Sequence, residues 1–88
     1  MTSPRRRHEP VFPGFREMAA ARRALVAELE ARRVSLGLTQ TEVAARMGTS
    51  QSAVARIESG EADLRLSTLE RYAAVLDAEI DWRLKLAE

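Results

Sequence analysis

The 88-residue sequence has no cysteine, which excludes a disulfide framework and a thiolate metal site and makes the reducing cytoplasm the expected compartment. It has one histidine, His8, close to the N-terminus. No Cys–His or Ser–His pair is therefore indicated for nucleophilic catalysis, and the acidic residues show no metal-ligand spacing. An enzyme is not expected, nor is any cofactor or metal. Proline is confined to Pro4, Pro10 and Pro13, glycine to four positions, and aromatics are few. A chain so short of turn formers and rings favours helices over a sheet sandwich. No apolar run approaches the roughly 20 residues of a membrane span, and no signal-peptide apolar segment follows the basic start, so no membrane role is expected.

What the chain does have is charge, unevenly spread. The net charge is only +1, yet residues 1–38 hold Arg5, Arg6, Arg7, Arg16, Arg22, Arg23, Arg32 and Arg33 against Glu9, Glu17, Glu28 and Glu30. Residues 39–88 reverse the balance. Basic patches are weak evidence alone, because charge runs also form plain solvated faces.

Residues 1–14 lack an apolar period and read as a flexible basic arm. Residues 15–78 read as an all-α domain of four main helices, and residues 79–88 as a C-terminal strand. From Phe15 to Leu36, the apolar residues Phe15, Met18, Leu25, Leu29 and Leu36 recur at sums of three and four, which predicts a long amphipathic helix closed by Gly37. Thr39-Gln40-Thr41-Glu42 is a capping box with Leu38 and Val43 placed as a hydrophobic staple, and Gly48 limits the helix it opens to about two turns. Ser50 is placed to cap the next helix, Gln51 to Glu58, which stops at Ser59-Gly60. Val54 and Ile57 share one face of it and leave Gln51, Ser52, Ala55 and Arg56 on the outward side. Ser67-Thr68-Leu69-Glu70 reads as a second capping box, opening a helix that turns Leu69, Tyr72, Ala73, Val75 and Leu76 inward and finishes near Asp77-Ala78. In the tail, Ile80, Trp82, Leu84 and Leu86 alternate with polar residues, which favours a strand paired with its copy across a two-fold dimer. A final short helix is the competing reading.

The run Gly37-Leu38-Thr39-Gln40-Thr41-Glu42-Val43-Ala44, followed by Met47-Gly48-Thr49-Ser50-Gln51-Ser52-Ala53-Val54-Ala55-Arg56-Ile57-Glu58-Ser59-Gly60, resembles the Xre-like helix-turn-helix family of phage and bacterial repressors. The resemblance covers approximately residues 29–77. Leu66-Ser67-Thr68-Leu69-Glu70-Arg71-Tyr72 and the alternating tail look like the HigA-type antitoxin subgroup. Arg32 departs from the pattern, standing where the family often has an aliphatic residue, and the first helix begins unusually early.

These residue types also suit DNA on chemical grounds. The major groove admits one helix, in which Gln51 can pair bidentately with adenine, Ser52 can serve several base edges, Ala55 can touch a thymine methyl and Arg56 can reach a guanine or a phosphate. Gln40 and Thr41, among the unpaired N–H groups of their helix start, are placed to hold a phosphate, with Thr49 and Arg65 as further phosphate candidates. Arg5, Arg6 and Arg7 can follow phosphates or enter a minor groove. Each has an ordinary alternative: Gln51 and Ser52 are common first-turn residues, and Arg56 can instead pair with Glu58 or Glu61. Two functions follow as expectations. One is a homodimeric repressor of double-stranded DNA, and the other is an antitoxin that binds a small basic ribonuclease toxin and represses its own operon. A scaffold that does not bind DNA is a further alternative.

Overall fold

The computed structural model describes residues 14–60, 63–84 and 86. Their regular structure is four helices, α1 (Phe15–Ser35), α2 (Gln40–Met47), α3 (Gln51–Ser59) and α4 (Leu66–Val75). No described helix is long and apolar enough to cross a membrane.

Side-chain and backbone caps place these helices. α1 ends in a Schellman motif, with Gly37 at φ 73°, the Leu38 N–H donating to the Arg33 carbonyl at 3.2 Å and the Gly37 N–H to that of Val34 at 2.9 Å. The left-handed conformation that this motif demands is costly for a residue with a Cβ. The capping box on α2 forms as its spacing predicts: the Glu42 N–H donates to Thr39 Oγ1 at 3.0 Å, and the Thr39 N–H to Glu42 Oε1 at 2.8 Å. That second bond, the largest cause, holds the Glu42 carboxyl below its ordinary pKa. Thr39→Ala is expected to lower stability by about 1 kcal/mol, read as a lower urea midpoint at unchanged slope. Gly48, at φ 74°, turns the chain out of α2, and Ser50 Oγ then accepts the Ala53 N–H at 3.1 Å to start α3.

Two arginines close helices from a distance. Arg32 Nε donates to the Leu76 carbonyl at 2.9 Å at the end of α4, and Arg71 Nη2 donates to the Met47 carbonyl at 2.8 Å at the end of α2. Both satisfy carbonyls that a helix terminus leaves without partners, where a cation also suits the macrodipole. Arg32 thus has a definite task at the position where it departs from the family pattern.

The core is built from Val26 and Leu29 of α1, Val43, Ala44 and Met47 of α2, Val54 and Ile57 of α3, and Leu69, Tyr72 and Ala73 of α4, with Leu76 just beyond. Val26, Val43, Val54, Tyr72 and Leu76 are sealed from solvent, each contributing about 1.5–3 kcal/mol by burial.

Four expectations need correction. The stripe proposed for α1 is only partly right: Leu29 is buried and Leu25 half-buried, but Val26 carries the other contact, while Phe15, Met18 and Leu36 are exposed. A stripe drawn through sums of three and four drifts around a long helix, and here the fully buried positions of α1 are Val26 and Leu29. The capping box proposed at Ser67 does not form, since α4 starts at Leu66 with Arg65 as N-cap and no side-chain cap bond. Its would-be acceptor, the Glu70 carboxylate, takes the Trp82 indole N–H at 2.8 Å instead. α4 also stops at Val75, short of Asp77-Ala78. Finally, within one chain the described tail residues form neither a strand nor the alternative helix. Ile80 packs against the chain's own core.

Candidate nucleic-acid interface

One carboxylate organises the outer face of α2 and α3. Glu58 stands four residues after Val54, so its side chain turns inward, and it is only 4% exposed. Arg33 reaches it from α1, Nε to Oε2 at 2.6 Å and Nη2 to Oε1 at 3.1 Å, while Arg33 Nη1 donates to the Leu38 carbonyl at 2.8 Å. The buried Tyr72 hydroxyl also donates to Glu58 Oε2, and Gln40 Nε2 donates to Oε1 at 2.8 Å. Burial pushes the Glu58 pKa up, but the bonds from Arg33, Tyr72 and Gln40 together outweigh it and hold the carboxyl below its ordinary range. The bond to Glu58 raises the pKa of Arg33, and burial, followed by the same carboxylate, raises that of Tyr72.

The network reaches the surface through a single amide. A carboxylate only accepts, so Gln40 must turn Nε2 toward Glu58 and Oε1 away from it. That oxygen accepts Gln51 Nε2 at 2.6 Å. Gln51 sits at the first position of α3 and is exposed. Its remaining N–H and its Oε1 are the donor and acceptor that a bidentate contact with adenine uses.

The other proposed base-reading residues lie beside it. Ser52 and Arg56 are exposed and line one shallow depression with Ser50 and Ala53, and the Ser52 hydroxyl lies 3.2 Å from that of Ser50. Arg56 does not pair with Glu58, whose carboxylate is held by Arg33. Ala55 is half-buried, so it faces outward less than its spacing predicts. Gln40, Thr41 and Gln51 line a neighbouring open depression of about 590 Å³ together with Gly37 and Leu38. There the Gln40 side chain is committed to Glu58 and Gln51, which leaves its backbone N–H as the group able to hold a phosphate. Thr49 and Arg65 are exposed but line neither depression. Arg5, Arg6 and Arg7 lie outside the described residues. Of the proposed dimer residues, Ile80 is turned inward and Trp82 is bonded to Glu70, while Leu84 and Leu86 are 92% and 83% exposed.

Arg33, Glu58 and Tyr72 were not identified from the sequence as parts of this site. The available signal was Glu58 on the same face as Val54 and next to Ile57, a buried position that a carboxylate occupies only with partners.

A short helix, a glycine turn and a second helix with a thin buried stripe and an exposed polar edge define the helix-turn-helix class, whose second helix enters the major groove. The family model described as Helix-turn-helix matches residues 29–83, and the chain belongs to that family. Two curated relatives are both named Antitoxin HigA1 and come from Mycobacterium tuberculosis, strains CDC 1551 / Oshkosh and ATCC 25618 / H37Rv. Each is 46% identical over 72 residues, covering 82% of this chain and 48% of the relative. The chain thus spans about half the length of the curated relatives it matches. No solved structure matches it.

Proposed function

We propose that the chain is a sequence-specific DNA-binding regulator that lays α3 in the major groove and acts as a homodimeric repressor. The observation that carries this reading is the Gln51 amide, held at the open edge of α3 by Gln40 beside exposed Ser52 and Arg56, while Val54 and Ile57 anchor the opposite face in the core. Gln51, Ser52, Ala55 and Arg56 read base edges. The N–H groups of Gln40 and Thr41, with Thr49 and Arg65, hold phosphates, and these contacts position the helix without specifying sequence. Two chains joined through their tails, with Leu84 and Leu86 as the exposed apolar contacts, read half-sites about 34 Å apart or a multiple of that spacing. Selection from a random duplex pool tests the reading. A two-fold motif enriched by the parent chain and lost with Gln51→Ala supports it, and equal retention of all sequences sinks it.

The relatives' printed name favours a second reading, in which the same DNA helix serves an antitoxin that neutralises a toxin. Native-host purification separates the two. Stoichiometric recovery of a small protein whose expression alone arrests growth supports the antitoxin, and recovery of the regulator with DNA alone supports the simple repressor.

A further inference from the structure

Two shallow grooves meet at Leu25, on the side of α1 that faces the tail. The first, of about 360 Å³, is walled by Ala21, Leu64, Leu66, Leu69 and Trp82. The second, of about 320 Å³, lies over Leu29, Ala73 and Ile80. Leu25 lines both, so one elongated occupant crossing it would touch both. The apolar strip is open: Leu66 is 59% and Trp82 43% exposed, and Met18, one turn before Ala21 and Arg22 on α1, is 55% exposed. Scattered exposed leucines carry no message, but a continuous apolar strip with polar edges marks an interaction surface.

The edges carry a sign. Asp63 lines the first groove, and Glu28, Glu79 and Asp81 line the second, all four exposed. Two guanidinium groups line the same grooves, the half-buried Arg22 the first and the exposed Arg32 the second, and the carboxylates outnumber them. Arg32 is bonded to the Leu76 carbonyl, and Arg22 Nε is shielded from solvent with no hydrogen-bond partner. An exposed Arg83 lies 3.0 Å from Asp81 and offsets its charge, which leaves Glu28, Asp63 and Glu79 as the acidic surplus over Arg22 and Arg32.

We propose that this surface docks a basic amphipathic segment of another protein, its apolar side chains seated across Leu25 against Trp82 and its lysines or arginines against Glu28, Asp63 and Glu79. A second copy of the chain fits less well, because self-pairing across a two-fold axis would set one acidic rim against the other. The site leaves the DNA face free. Arg33, which holds the network behind Gln51, lies eight residues beyond Leu25, about 12 Å along α1. The proposal does not depend on DNA binding, so its failure and that of the regulator reading are separately visible.

Trp82 is the only tryptophan, and its indole fluorescence reports occupancy directly. The full chain is titrated with a synthetic leucine/lysine amphipathic helical peptide and with a leucine/glutamate peptide of the same apolar pattern, and operator binding is measured in parallel. The expected result is a saturable blue shift with the lysine peptide. Binding should weaken about tenfold or more with the glutamate peptide, or in the double variant Glu28→Lys with Glu79→Lys, whose exposed positions leave the unfolding midpoint unchanged. Operator affinity should be unaffected. No shift overturns the proposal, as does equal affinity for both peptides. Preference for the glutamate peptide overturns it in favour of an occupant that pairs with Arg22. A blue shift that appears on concentrating the chain alone, and blocks the peptide, overturns it in favour of a second copy.

Discussion

Arg33→Met is expected to lower the unfolding free energy by about 3–5 kcal/mol, the cost of leaving a buried charge without its ionic partner. Arg33 is 12% and Glu58 4% exposed at the side chain, so water cannot replace the guanidinium. Tyr72 and Gln40 still donate to the carboxylate, which keeps the loss toward the lower end of that range. Urea unfolding across a pH series checks the cause as well as the size. In the parent, the folded pKa of Glu58 lies below its ordinary value. The stability it contributes is therefore fully present above the unfolded pKa, about 4.3, and is lost as pH falls through the lower folded value. Without Arg33, burial is opposed by fewer donors, so the folded pKa rises toward the unfolded one and the Glu58 share of the stability lost on acidification shrinks. An unchanged pH profile with a large stability loss would mean that the arginine acts by packing alone.

Gln51→Ala and Arg56→Ala should each weaken binding to the selected operator by about 1–3 kcal/mol, roughly 5- to 150-fold, and relax preference at the contacted base. Both side chains are exposed, so unfolding midpoints should move by no more than about 0.5 kcal/mol. This contrast separates reading DNA from holding the fold. Gln51 has one amide hydrogen on Gln40, so its loss also frees the Gln40 carbonyl oxygen, while Arg56 carries no such link to Glu58. Gln51→Ala is therefore expected to blur the base preference more, with Arg56→Ala lowering affinity more evenly across sequences. Equal losses on operator and random DNA for both variants would remove them from the base-reading set.

Where local chemistry decides, the sequence was legible. Thr39 with Glu42, Ser50, Gly37 and Gly48 act within a few residues, and each bond or turn appears where its spacing predicts. The outward edge of α3 followed from two apolar residues three apart. Legibility failed where a distant partner decides. Glu70 fits a capping box on paper, but Trp82, twelve residues on, takes its carboxylate. Arg33 and Glu58 are 25 positions apart, and only the packing of α1 on α3 brings them together. The tail's alternation did not disclose its contacts within the chain, where Ile80 packs on the core and the Trp82 indole donates to Glu70.

The Gln40 side chain has a consequence for how binding preference can change. Its amide works as a polarity converter: an acceptor behind it dictates that an acceptor faces forward, and Gln51 must answer with a donor. Exchanging the hidden member of this series, without touching any atom that meets a base, would reverse which end of Gln51 is presented. On the proposed reading of α3 as the base-reading helix, new target sequences are thus reachable from beneath the contact surface, by residues that a footprint of the complex would never mark.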